Sequence, residues 1–184
     1  MTLLEIRIHG RGGQGAVTST QVLAIAAFKD GKYSQAFPNF GVERTGAPVE
    51  SYVRIDDKQI NLRQHVYDPD YVIVLDSSLI DTVDVTKGLG KNGVIIVNTD
   101  KSPKELKKLS GFKVHAINIT KIALEVIGKP FVNIASLGAF SSLSKQVSLK
   151  ALDKAIDELF IARGKATAAE LNKKAAKAVY EAAK

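Results

Sequence analysis

Two rhythms of apolar and polar residues run along this chain. Residues 4–9 alternate and are partly β-branched, which predicts a strand. Residues 16–29 are apolar around most of a helical circumference, which predicts a helix wedged between a sheet and another surface. Asp30-Gly31 stops that helix, with Gly31 suited to a left-handed cap. Residues 33–37 read as the next strand, and residues 49–55 alternate as another. Asp56-Asp57-Lys58 reads as a turn that folds residues 59–62 back as a hairpin. The unbroken apolar runs at 71–75 and 93–97 suit strands buried on both faces, and 113–117 adds one more strand.

The second half is mostly helical. Ser102, Pro103 and Glu105 occupy the cap, first-turn and capping-box positions of a helix start. Residues 119–127 form a helix that stops at Gly128, before Pro130. Residues 133–144 carry Ala135, Gly138 and Ala139, a face that allows close backbone packing. Ser148 caps a helix striped with Leu149, Leu152, Ile156, Leu159 and Phe160. Thr167 and Glu170 form a second capping box before a last helix. Its stripe of Ala168, Leu171, Ala175, Ala178 and Val179 is thin, which places it at an edge or on a partner. Together these elements predict an α/β fold: a doubly wound, mostly parallel sheet with an antiparallel addition and C-terminal helices. One domain over residues 1–184 is expected, with residues 148–184 as a helical extension.

Composition narrows the chemistry. The chain has 184 residues and no cysteine, so it offers no disulfide, no thiolate nucleophile and no cysteine-held iron–sulfur cluster. His9, His65 and His115 fit no zinc spacing, and no metal site is expected. The net charge of +7 is dispersed. Lys101, Lys104, Lys107 and Lys108, and again Lys173, Lys174 and Lys177, read as solvated helix faces. No basic run is interleaved with aromatics, which argues against nucleic acid. No apolar run reaches a membrane span, and no secretory leader is evident, so the expected compartment is the cytoplasm.

Two segments carry functional information. Gly10-Arg11-Gly12-Gly13-Gln14-Gly15 fits G-x-G-x-x-G between a strand and a helix. Such a loop presents backbone N–H groups and a positive helix end to an anion. Gly12, Gly13, Gln14 and Gly15 are therefore candidate ligand contacts, with a tight turn needed only for packing as the alternative. A dinucleotide would need an acid about 20 residues on, and none lies between Ser34 and Phe40. The second segment runs from Phe37 to Pro48, with Phe40, Glu43 and Arg44 inside a glycine- and proline-rich loop. Phe37, Phe40, Glu43 and Arg44 suit a protein interface; anchoring on the chain's own core is the alternative. No catalytic constellation stands out. Asp76 ends a buried strand and suits capping of the segment after Ser77, and His9 stands beside the glycine loop.

The segments IRIHGRGGQGAVTSTQVLAIAAF and AFPNFGVERTGAPVESYVRID together resemble the gamma subunit of the pyruvate and 2-oxoacid:ferredoxin oxidoreductases. YVIVLD, GVIIVN and NIASLGAFSSL extend the resemblance over most of the chain. Thr45 stands where the family often has arginine. The resemblance implies an accessory, non-catalytic subunit of a complex that oxidatively decarboxylates pyruvate or a branched-chain 2-oxoacid to acyl-CoA. In such a complex, alpha-, beta- and delta-type partners hold thiamine diphosphate, magnesium and iron–sulfur clusters and pass electrons to ferredoxin. The gamma chain is implied to help position coenzyme A at Gly12–Gly15. A stand-alone Rossmann-type nucleotide-binding dehydrogenase is the competing reading.

Overall fold

The computed structural model describes residues 3–39 and 44–184. Phe40 and Glu43 lie outside the described residues, so their expected interface role has no structural account. The chain runs β1 (Leu4–Arg11), α1 (Ala16–Lys29), β2 (Tyr33–Pro38), β3 (Pro48–Asp56), β4 (Tyr71–Val74), α2 (Leu79–Thr82), β5 (Val94–Asn98), β6 (Lys113–Ile117), α3 (Ile119–Ile127), α4 (Val132–Ser144), α5 (Leu149–Ile161) and α6 (Ala166–Ala182). The strands form one six-stranded sheet ordered β2-β3-β1-β4-β5-β6. β1, β4, β5 and β6 are parallel; β3 is antiparallel to both β1 and β2. The α/β sheet with an antiparallel addition and C-terminal helices is thus as expected.

Side-chain alternation divides the sheet into two faces. Ile6, Ile8, Val53, Ile55, Ile73 and Ile96 point into a core shared with α1, α4, α5 and α6. On the other face, Val72, Val74, Ile95 and Val97 pack under α2 and Leu109. Over β1 and β3 that second face is polar instead, with Arg7, His9, Tyr52 and Arg54 all buried.

Four expectations change. The hairpin from residues 49–55 into 59–62 does not form. β3 is a central strand, and its two sides are taken by β1 and β2. Residues 59–62 are left as irregular, mostly exposed chain. The start at Ser102 yields only 3₁₀ turns over Pro103–Glu105 and Lys107–Leu109. Glu105 does accept from the Ser102 N–H and hydroxyl, at 2.8 and 2.7 Å. Leu106 and Leu109, three apart, both bury within this short link to β6, a spacing that fits 3₁₀ turns. The capping box at Thr167 is absent, because α6 starts earlier, after Lys165. Lastly, α6 is no edge helix: Ala169, Ala175, Ala176 and Val179 are fully buried in the main core. Its stripe is thin because the helices touch. A Cβ on Gly138 of α4 would overlap the Ala176 carbonyl oxygen.

Candidate functional site at the glycine loop

β1 delivers the chain to the carboxyl edge of the sheet, and the glycine loop turns it into α1. Its glycines are required for different reasons. A Cβ on Gly12 would overlap the backbone carbonyl oxygen of Arg44. That approach is fastened by two backbone hydrogen bonds: Gly12 N–H to the Ala47 carbonyl at 2.8 Å, and Gly46 N–H to the Gly12 carbonyl at 3.0 Å. The two informative segments of the sequence therefore pack directly on one another. Gly13 has φ 92° and no atom within 4 Å of where its Cβ would sit. Gly15, the left-handed N-cap of α1, lies against Asn133, whose Nδ2 donates to its carbonyl at 3.4 Å.

Side chains lock the turn from within. Gln14 accepts from the Arg11 N–H at 2.8 Å and donates to Asp76 at 3.2 Å. Arg11 Nε donates to the same Asp76 oxygen at 2.9 Å, and its other nitrogens reach Ser78 Oγ at 2.7 Å and the Gly46 carbonyl at 3.1 Å. The other Asp76 oxygen accepts from the Ser78 N–H and hydroxyl at 3.0 and 2.6 Å. Asp76 does cap the segment after Ser77, as expected, and it also braces the loop. Burial pushes the Asp76 carboxyl up, yet the hydrogen bonds from Ser78, Arg11 and Gln14 outweigh it and hold it below the usual carboxylate range.

His9 takes no part in the open site. It is 1% exposed, accepts from Arg7 Nε at 3.0 Å and faces Glu50 at 3.6 Å. Burial, reinforced by Arg7, pushes its pKa down to about 4 against the opposing pull of Glu50. Tyr52 donates to Glu50 at 2.6 Å, and burial followed by that bond raises its phenol. Phe37 stacks on Tyr52 at 5.3 Å and under Arg54 at 5.1 Å, so one side of it is anchored on this chain's own sheet. Arg44 is exposed, with its backbone carbonyl turned to the loop.

Gly13 opens onto a cleft of about 840 Å³ at the carboxyl ends of the parallel strands. Two helices begin there, α3 after Asn118 and α4 after Phe131, while the first turn of α1 faces a neighbouring cleft of about 390 Å³ lined by Gly13, Gly15, Ala16 and Val17. Both α3 and α4 present a positive dipole end, and in α3 the Thr120 and Lys121 N–H groups are already taken by the Asn98 and Asn118 side chains. Lys121 adds a cation, Asp100 and Glu125 are exposed acids, and Leu124 and Phe131 are half-exposed apolar walls. Asn98 sets the floor by donating to the Leu75 carbonyl at 2.9 Å and accepting from Thr120 N–H at 3.0 Å. Sequence reasoning missed Asn98, Asn118, Lys121 and Phe131. The rule that open sheets bind ligands beyond their strand ends points to Asn98. Nothing local marks the others.

A dinucleotide site fits poorly. The parallel second strand of such a site should lie beside β1, carrying the ribose-binding acid. Here β3 lies there, antiparallel. Among the described residues no cluster of His, Asp and Glu suits a metal ion, and no single helix is long and apolar enough to cross a membrane.

The family model for pyruvate ferredoxin/flavodoxin oxidoreductase matches residues 5–182. The chain belongs to that family. It is 51% identical to the pyruvate synthase subunit PorC of Methanocaldococcus jannaschii, over 97% of this chain and 96% of the relative. It is 52% identical to the pyruvate/ketoisovalerate oxidoreductases common subunit gamma of Thermococcus kodakarensis, over 98% and 95%. The crystal structure of the pyruvate oxidoreductase subunit PORC of Thermotoga maritima superposes with a TM-score of 0.84 at 37% identity, covering 98% of this chain and 97% of that one. This family membership makes the chain a gamma-type subunit of a 2-oxoacid:ferredoxin oxidoreductase, and the dehydrogenase reading is not favoured.

Proposed function

We propose that this subunit carries no catalytic group of its own and helps position coenzyme A for the complex, while its 37–48 segment holds neighbouring chains. The carrying observation is the cleft on the open side of Gly13, where the N-termini of α3 and α4 and the Lys121 cation come together. Coenzyme A brings phosphates, which suit such ends, and an apolar reach that suits Leu124 and Phe131. The cleft volume lies within the usual range for ligand pockets. Thiamine diphosphate, magnesium and iron–sulfur clusters fall to alpha-, beta- and delta-type partners, which pass electrons to ferredoxin. This chain has no cysteine to hold a cluster. The complex works in the cytoplasm on pyruvate or a branched-chain 2-oxoacid.

The test is kinetic. In the reconstituted complex, Gly13→Val raises the Michaelis constant for coenzyme A and leaves 2-oxoacid decarboxylation nearly intact. An unchanged coenzyme A dependence in an assembled variant reduces the loop to a structural turn. The purified chain alone reduces no viologen dye with pyruvate; dye reduction would refute the non-catalytic assignment.

A further inference from the structure

Asp76 stands between three loops that no stretch of sequence links: the glycine loop, the 44–48 segment and the start of α2. Its two oxygens accept four hydrogen bonds, from Arg11, Gln14 and twice from Ser78. Arg11 carries the bracing on to the Gly46 carbonyl. Both ends of the Gln14 amide are engaged in this bracket, at the Arg11 N–H and at Asp76, so Gln14 serves the turn. The Arg11 guanidinium is likewise turned into the bracket, and the Arg11, Gly12 and Gln14 N–H groups are bonded within the chain, which leaves the N–H groups of Gly13 and Gly15 as the loop's offering to a ligand.

We propose that Asp76 is a positioning residue for coenzyme A: by bracketing Arg11, Gln14 and Ser78 it fixes the left-handed turn at Gly13 and with it the direction of the Gly13 N–H group at the cleft. The proposal rests on the coenzyme A reading above. One feature separates it from a stability role. The residue held by the bracket, Gly13, has no packing neighbour of its own on its Cβ side, so its conformation depends on the bracket. The low proton affinity of the Asp76 carboxyl keeps the bracket charged at neutral pH.

Asp76→Asn turns an amide donor toward Arg11 or Ser78 and removes the charge. In the assembled complex the Michaelis constant for coenzyme A should rise about tenfold, the weight of a charge-assisted hydrogen bond, with turnover and the 2-oxoacid constant unchanged. Asp76→Glu keeps the charge and should return the constant to within about threefold of the parent. Ser78→Ala, at an exposed position, repeats the test without touching the charge, with a rise of about fivefold. Hydrogen exchange at the Gln14 and Gly15 amides of the complex should quicken in Asp76→Asn while the middle of α1 keeps its protection. If Gly13→Val raises the constant and Asp76→Asn and Ser78→Ala do not, Asp76 has no positioning role and the coenzyme A reading survives. If none of the three moves it, the coenzyme A reading falls and takes this proposal with it.

Discussion

Gly12 and Gly13 are neighbours in one motif, yet they serve opposite sides of the loop. The Gly12 side is tightly packed: the Arg44 carbonyl presses on it, and buried His9 and Tyr52, with half-buried Glu50, form a polar scaffold in β1 and β3 beside it. The Gly13 side is open to the cleft and held only by its own turn and the Asp76 bracket. A glycine-rich signature thus mixes two demands, close packing of backbone on backbone and access for a ligand. The spacing of the glycines does not tell them apart.

The sharpest way to break this contrast is Gly12→Ala. A methyl group there meets backbone rather than a yielding side chain, so the 44–48 segment must move. A loss of about 3 kcal/mol in urea unfolding is expected, in the range of overpacked sites. A loss below about 1 kcal/mol would show that the segment yields freely. Next comes acid. Above pH 6.5 His9 is neutral in both folded and unfolded chains. Below it, down to about 4, only the unfolded chain binds the proton, so stability falls as pH falls. About 2 kcal/mol should be lost by pH 5, and His9→Gln should flatten that slope. An unaltered slope would remove His9 from the scaffold's pH response.

Gly13→Ala should cost only about 1 kcal/mol, the price of a left-handed turn, since nothing crowds the added carbon. Equal costs at Gly12 and Gly13 would erase the distinction. Smallest for the fold is Arg44→Ala. Its backbone carbonyl remains, so unfolding should shift by less than about 0.5 kcal/mol, while affinity for partner chains falls by about 2 kcal/mol. Normal partner affinity in that variant would return Arg44 to the solvent. Phe37→Ala provides the contrast, because its ring packs on Tyr52 and Arg54 and the fold itself should weaken.

Much of this was legible in the residues. The runs at 71–75 and 93–97 are parallel strands covered on both faces, and an unbroken apolar run records that; 113–117 is the less buried edge strand, and Lys113 and His115 interrupt its apolar pattern. Ser148 caps α5 as its position suggests, accepting from the Ala151 N–H at 3.1 Å. Residues 49–55 announced a strand but not its partners, since alternation fixes a face and says nothing about which edge is occupied. The contact of Gly12 with the 44–48 segment was equally hidden, being made of backbone groups that every residue carries. The cleft was half legible: the glycine loop and Asp76 stood out, whereas Asn118, Lys121 and Phe131 reach it only through the placement of α3 and α4.

The close contact of α4 and α6 also has a consequence in time. Synthesis delivers Gly138 and its apolar neighbours well before residues 166–182. At about 5–20 residues per second, the α4 face stays uncovered for several seconds on the emerging chain. Through that interval the nascent protein presents an unsealed hydrophobic seam. Arrival of α6 closes the seam with alanines small enough to pack against Gly138, so the apolar face of α4 is sealed only when this last helix is complete.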